Sequence, residues 1–154
     1  MKVEFINPFL LSMLNVMSTM AKIELVAEKP KLKKDNVAHG DISGLIGMVS
    51  PETKGSLSIT FDTSLALATM QGMVGEAPNE VNEEIIDLVG EITNMVTGGA
   101  KRLLSDKGFE FDMATPMVVS GENHTIHHKS KGHIVIVPLR GDAGRAYIEF
   151  SFDE

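Results

Sequence analysis

One run of the sequence restricts the possible folds more than any other. From Val81 to Leu104 the apolar residues Val81, Ile85, Leu88, Val89, Ile92, Met95, Val96, Leu103 and Leu104 recur at helical spacing. Pro78-Asn79 predicts the start of this helix and Gly108 its stop. A helix of that length with a single apolar stripe has to bury the stripe, so the rest of the chain must supply a layer for it to lie on. Part of that layer is a second long helix. Asn7-Pro8 predicts its start, and Leu10, Met13, Leu14, Met17, Met20 and Ala21 carry it from Pro8 to Lys22, after a short strand at Met1–Phe5. Asp62 or Thr63 caps a third, shorter helix that runs to about Met73 and closes at Gly75.

Strands account for most of the remainder. Asp41–Val49 and Ser56–Phe61 read as a pair joined by a turn, and Leu57, Ile59 and Phe61 alternate with Ser56, Ser58 and Thr60 as in a half-buried antiparallel strand. Met113–Val119, Thr125–Lys129, His133–Leu139 and Arg145–Phe152 read as further strands, with Gly141-Asp142-Ala143-Gly144 as the last turn. The Lys-rich stretch Glu28–Asp35 reads as a solvated loop or an edge-strand face. The two halves also echo each other: each opens on a long helix and closes on a hairpin, ending in Gly55–Asp62 and in Arg145–Asp153. Ser12 and Asn15 have the three-residue spacing of Glu91 and Asn94. The predicted fold class is α/β (α+β), two long helices and a short one on an antiparallel or mixed sheet, in two pseudo-two-fold helix-plus-hairpin halves.

Composition narrows the function. The 154 residues are 43% hydrophobic, enough for one ordinary core, so residues 1–154 read as a single domain. Fourteen Lys and Arg against 21 Asp and Glu give a net charge of −7. Nucleic-acid binding needs a basic patch, and none is visible; an acidic chain is better matched to a positively charged feature on a protein partner. The absence of Cys excludes disulfides and thiolate metal sites and fits a reducing cytoplasm. No stretch reaches the ~18 apolar residues of a membrane span. Phe9–Met17 resembles a short signal core, but Glu4 precedes it, Ser12 and Asn15 interrupt it, and no small-residue cleavage site follows, so it reads as structure.

Chemistry concentrates on the long helix. At about 100° per residue, Glu80, Glu84, Asp87, Glu91, Asn94, Gly98, Lys101 and Ser105 form one polar stripe opposite the apolar one. An ordinary solvated face has the same appearance. Two residues set this one apart: Asn94 competes with the backbone in mid-helix, and the Gly98-Gly99 pair costs roughly 1 kcal/mol per Gly relative to Ala. A flat spot one turn beyond an Asn lets another protein's backbone come close. His124, His127 and His128, with His133 nearby, could in principle hold Zn²⁺ or Ni²⁺. The segment lacks the i,i+4 helical presentation and a nearby acidic pair, so polar loop residues are the preferred reading and no metal site is assigned.

Asp87, Glu91 and Asn94, followed by Pro116, resemble the signature of the CheC/CheX/FliY family, phosphatases of the phosphorylated response regulator CheY. In that pattern Asp or Ser is followed after three residues by Glu, after two by Asn, and after about twenty-two by Pro. The first three match in register, and Pro116 arrives after twenty-one. The Asn7-Pro8-Phe9 opening resembles the CheX branch in particular. CheC-type members carry a second motif copy on the first helix; here Ser12 replaces its Glu although Asn15 is present, which implies a single site. The resemblance implies a CheC-like fold and hydrolysis of a partner's aspartyl phosphate. Asn94 would then orient the attacking water and Glu91 pair with the regulator's Lys, with Asp87, Gly98 and Pro116 at the docking face. It further implies no cofactor of the chain's own, Mg²⁺ being carried by the phosphorylated regulator, and a homodimer. A regulator-binding scaffold without catalysis is the alternative, distinguished by having no need of Asn94.

Overall fold

The computed structural model describes residues 3–128 and 132–153. Three helices lie on one face of an eight-stranded sheet, counted over the described residues, and every pairing in it is antiparallel. In chain order the elements are α1 (Val3–Met20), β1 (Val26–Ala27), β2 (Lys31–Lys33), β3 (Ile42–Val49), β4 (Lys54–Phe61), α2 (Thr63–Val74), α3 (Glu83–Asp106), β5 (Asp112–Met113), β6 (Met117–Ser120), β7 (Ile134–Gly141) and β8 (Gly144–Phe152). Hairpins β3–β4 and β7–β8 meet along β4 and β8, with Ser58 opposite Glu149 at the centre of that seam. The helix-plus-hairpin repeat is therefore present, and the sheet is wholly antiparallel.

Helix boundaries follow tertiary partners where these outweigh local signals. The region expected as a short strand is helical from Val3 onward, and Pro8 sits inside α1 instead of at its start. Pro8 removes one backbone donor, yet the preceding turn is held by Ile6, which is buried, and by Phe5. The Phe5 ring stacks edge-on against Phe109 and Phe111 at 4.9 and 5.8 Å and tilts onto Phe152 at 5.5 Å. α3 starts later than Pro78-Asn79: Asn82 is its N-cap, accepting from the Ile85 N–H at 3.1 Å, with Glu83 and Glu84 in the first turn. α2 follows Asp62, but its capping acceptor comes from β3's threshold, where Asp41 Oδ2 takes both the N–H and the hydroxyl of Thr63 at 2.9 Å. Gly75 ends it in the left-handed conformation, φ 85°.

The expected strand Met113–Val119 is broken in two. Met113 lies opposite Met48 and Met117 opposite Leu45, so four steps on one side face three on the other. The extra residue makes a β-bulge at Ala114–Pro116, where Pro116 has no N–H to offer the ladder. Thr125–Lys129 is not a strand: Thr125 makes only an isolated bridge to Val37, and Lys129 lies outside the described residues.

The alternation in β4 predicts one dry face and one wet one, and both are dry. Leu57, Ile59 and Phe61 join Ile148 and Phe150 of β8 and the helices in the apolar core. On the far face Ser43, Ser56, Ser58, Thr60, Glu149 and Ser151 are buried too. The chain from Gly121 to His128 crosses that face, tied to its neighbour by Ala38 N–H to His124 O (2.9 Å) and Ile126 N–H to Asn36 O (2.7 Å). His124 Nδ1 faces the Gly121 carbonyl at 2.9 Å and must carry the proton; its Nε2 meets Ser43 Oγ at 2.7 Å, which in turn meets Thr60 Oγ1 at 2.6 Å. His128 bridges Ser56 Oγ (2.6 Å) and Glu149 Oε1 (3.1 Å). Lys33, expected on a solvated loop or edge face, does stand on an edge strand, but its ammonium is buried against Glu149 Oε2 at 2.8 Å.

Burial pushes the Glu149 carboxyl upward, but hydrogen bonds from His128 and Lys33, with their charge, outweigh it and hold the group below its ordinary range. A depressed carboxyl stabilises the fold fully above the unfolded-state value, about pH 4.3, and that contribution fades as pH falls through the folded value. Urea unfolding should therefore show stability level near neutrality and declining only below about pH 4.3. Glu149→Gln should lose about 3–5 kcal/mol at pH 7 by stranding the Lys33 charge. Adding Lys33→Met should restore a large share of the loss, because the stranded charge is removed with it.

Candidate functional site

α3 turns Ile85, Leu88, Val89, Ile92, Thr93, Val96, Thr97, Ala100 and Leu104 inward. Glu84, Asp87, Glu91, Asn94, Gly98 and Ser105 are exposed on its outer side, and Lys101 is half-buried beside them. Glu91 and Asn94 are i,i+3 neighbours, offset by about 4.5 Å along the axis, so carboxylate and amide stand side by side. Among the described residues neither side chain has a hydrogen-bond or ion-pair partner, and the same holds for Asp87. The ridge from Asp87 to Asn94 is therefore unoccupied by internal polar contacts, whereas Ser105 further along donates to Glu110.

Its height and tilt are set by close approaches on the buried side. β3 presents Gly44 to α3, and any Cβ there would collide with the Thr93 hydroxyl. That hydroxyl is turned back onto Val89 O at 2.8 Å. Gly90 faces Val118 of β6, where a Cβ would make ordinary van der Waals contact, so the close approaches are elsewhere. Gly99 leaves space for Ser12 of α1, which donates to Val96 O at 2.7 Å. Thr97 donates to Thr93 O at 2.8 Å and to Asn94 O at 3.1 Å, fixing the turn that carries Asn94.

Gly98 is different. A Cβ there meets nothing within 4 Å, so the fold gives no reason for its absence. The charges are equally unexplained by helix stability. Glu83 and Glu84 lie in the first turn, where the helix dipole favours them, but Asp87 and Glu91 lie beyond it and repel each other as an i,i+4 like-charge pair. Like charges, a mid-helix Asn and a gratuitous Gly are each unfavourable for an isolated helix, and all share one face.

Pro116 sits half-buried at the bulge that leads into β6, the strand that packs against α3, and exposed Met117 follows it. Sequence reasoning missed the bulge; the signal available was the Pro within an otherwise regular strand pattern. Ser12 and Asn15, the counterparts on α1, part company: Asn15 is exposed, whereas Ser12 is buried in the seam with α3. The histidines do not converge. His124 and His128 are anchors of the far-face network instead of loop residues, while His127 and His133 are exposed. No group of three or more metal-binding side chains occurs among the described residues. A cavity of about 570 Å³ lies near Leu45, Gly47, Ser56, Met113 and Met117, and no α3 residue lines it. The candidate residues thus stand exposed on the outer face of α3, apart from that cavity. No described helix is long and apolar enough to cross a membrane.

Residues 42–140 match the family described as chemotaxis phosphatase CheX. The chain is 31% identical over 121 residues to a CheY-P phosphatase CheX of Thermotoga maritima, covering 75% of this chain and 77% of that one. The fold matches a CheC-like superfamily protein from Shewanella sp. PV-4 with a TM-score of 0.94 and 65% identity, covering both chains fully. It also matches CheX of Borrelia burgdorferi, solved as a CheX–CheY–BeF₃–Mg²⁺ complex, with a TM-score of 0.82 and 26% identity over 99% of this chain and 100% of that one. By sequence and by fold, this chain belongs to the CheX family of chemotaxis phosphatases.

Proposed function

We propose that the chain hydrolyses the aspartyl phosphate of a CheY-like response regulator, and that the α3 ridge completes an active site most of which belongs to the regulator. The observation that carries this reading is the exposure of the ridge: Glu91 and Asn94 stand side by side, open to solvent and without internal partners among the described residues. Such a surface acts by entering another molecule's pocket. Named relatives support the choice of partner, one being a CheY-P phosphatase and another having been solved with CheY.

Hydrolysis breaks the bond between phosphorus and the aspartyl oxygen as a water oxygen attacks from the opposite side, leaving a carboxylate and inorganic phosphate. The step depends on positioning and charge neutralisation more than on covalent help. Mg²⁺ and a Lys on the regulator supply positive charge, and this chain needs no metal of its own. Asn94 contributes a neutral amide that both donates and accepts, so it can hold a water in line without repelling the phosphoryl oxygens. Glu91, one turn earlier, pairs with the regulator's Lys; Asp87 adds attraction beside it, and Pro116 borders the docked surface. Gly98 lets the regulator's main chain approach the helix. The reading places the reaction in the cytoplasm, where such regulators act.

Asn94→Ala should bind beryllofluoride-charged regulator like wild type while kcat for phosphate release falls by about 100-fold or more. Wild-type turnover in that variant would leave the ridge a docking module without chemistry. Glu91→Lys should weaken both binding and turnover. The two adjacent glycines should separate in one experiment. Gly98→Ala should raise thermal stability, by up to about 1 kcal/mol, yet weaken regulator binding, whereas Gly99→Ala should destabilise the fold through its clash with Ser12.

A homodimer belongs to the same reading. β6 on one border and β1 and β2 on the other each pair with a single strand, so both borders of the sheet are open to a second copy. Light scattering should give twice the 16.7 kDa of the chain, and a monomer at micromolar concentration would remove this part of the proposal.

A further inference from the structure

The ridge reverses its charge along its length. Glu84, Asp87 and Glu91 occupy its N-terminal half, Asn94 and the open turn at Gly98 follow, then comes Lys101, and Ser105 ends it with its hydroxyl on the Glu110 carboxylate. Lys101 stands seven residues after Asn94, about 10 Å further along the axis and within about 20° of the same meridian. Three internal explanations for a cation there fail. Lys101 makes no ion pair among the described residues. Its neighbours at i−4, i−3, i+3 and i+4 are Thr97, Gly98, Leu104 and Ser105, none of them acidic. The last turn of α3 contains no basic residue, and Lys101 lies more than a turn before the end at Asp106, outside the reach of the helix dipole.

Helical side chains lean toward the N-terminus, so the half-buried Lys101 stands on the turn next to the Gly98 gap. Its backbone lies about 10 Å along the axis from that of Asn94, with the turn at Gly98 between them. We propose that Lys101 is a second docking contact, pairing with a carboxylate on the regulator's surface on the far side of Gly98 from Glu91, so that the charge reversal along the ridge dictates which way round the regulator docks. The inference rests on the function proposed above and adds a specificity-determining residue to it. The matching surface is dipolar: a cation facing Asp87 and Glu91, main chain crossing Gly98, and an acidic side chain facing Lys101. A regulator turned end for end would bring like charges together at both ends, so one orientation is selected.

The test compares Lys101→Glu, Lys101→Arg and wild type, as full chains, in phosphate release from the phosphorylated regulator and in calorimetric binding of its beryllofluoride-charged form. Lys101→Glu should raise KM and Kd on the order of tenfold at about 0.05 M salt, with kcat within about twofold of wild type and an unchanged melting temperature. The difference should shrink toward about 0.5 M salt, and Lys101→Arg should behave as wild type. A KM and Kd for Lys101→Glu within about twofold of wild type at low salt would overturn the inference while leaving the proposed phosphatase standing. So would a fall in kcat with KM unchanged, which would place Lys101 at the reacting group. If wild type binds the regulator but releases no phosphate, the proposed activity fails and the Kd comparison alone decides Lys101. If wild type does neither, both fall together.

Discussion

The structure depends on how closely α3 can be pressed onto the sheet. Gly44 removes a side chain at the contact, and the Thr93 hydroxyl fills the space left at β3. On the adjoining side, Gly99 admits Ser12 from α1. Close packing of this kind leaves few alternative arrangements, because a rigid interior transmits any change in side-chain volume to the backbone. The exposed face of α3 is accordingly a fixed feature, and its residues are presented at a set height and angle. A group that must enter another protein's pocket benefits from such support, since small errors of position weigh heavily on reaction rates.

The two halves share an architecture without sharing a role. In α3 the position of Glu91 points outward, while its α1 counterpart Ser12 is committed to the seam between the two helices. The hydroxyl that bonds Val96 O also fills the space beside Gly99, so the contact that closes off the α1 position helps to seat the α3 ridge. The repeated architecture thus has one exposed polar face on α3 and one structural position on α1, and the second supports the first.

Much of this was legible in the sequence, and the misses have identifiable causes. Helical periodicity located α3 and its polar stripe, because a long amphipathic pattern survives local irregularities; its start was misplaced because Pro78 is a stronger punctuation mark than Asn82, although Asn82 with two following Glu is the better cap. The first turn of α1 was misread because Phe5 owes its helical place to Phe109, Phe111 and Phe152, all distant in the chain. The far-face network was invisible for the same reason. Lys33, His124, His128, Glu149, Ser43 and Ser56 read as solvent-facing residues until the fold brings them together, and only then do they find one another as hydrogen-bond partners. The candidate site was easier to find than the far face, because Asp87, Glu91, Asn94 and Gly98 lie on one helix and need no tertiary information to be aligned.

The bulge at Ala114–Pro116 divides one border of the sheet into pieces of two and four residues, and the other border is divided on either side of Pro30 into pieces of two and three. Long, flat, unbroken borders are what allow strands to add one after another into fibrils. Borders this fragmented offer only a brief handhold before the next strand would meet a kink or a missing amide. Such a border can accept one strand from a second copy without becoming a template for continued strand addition.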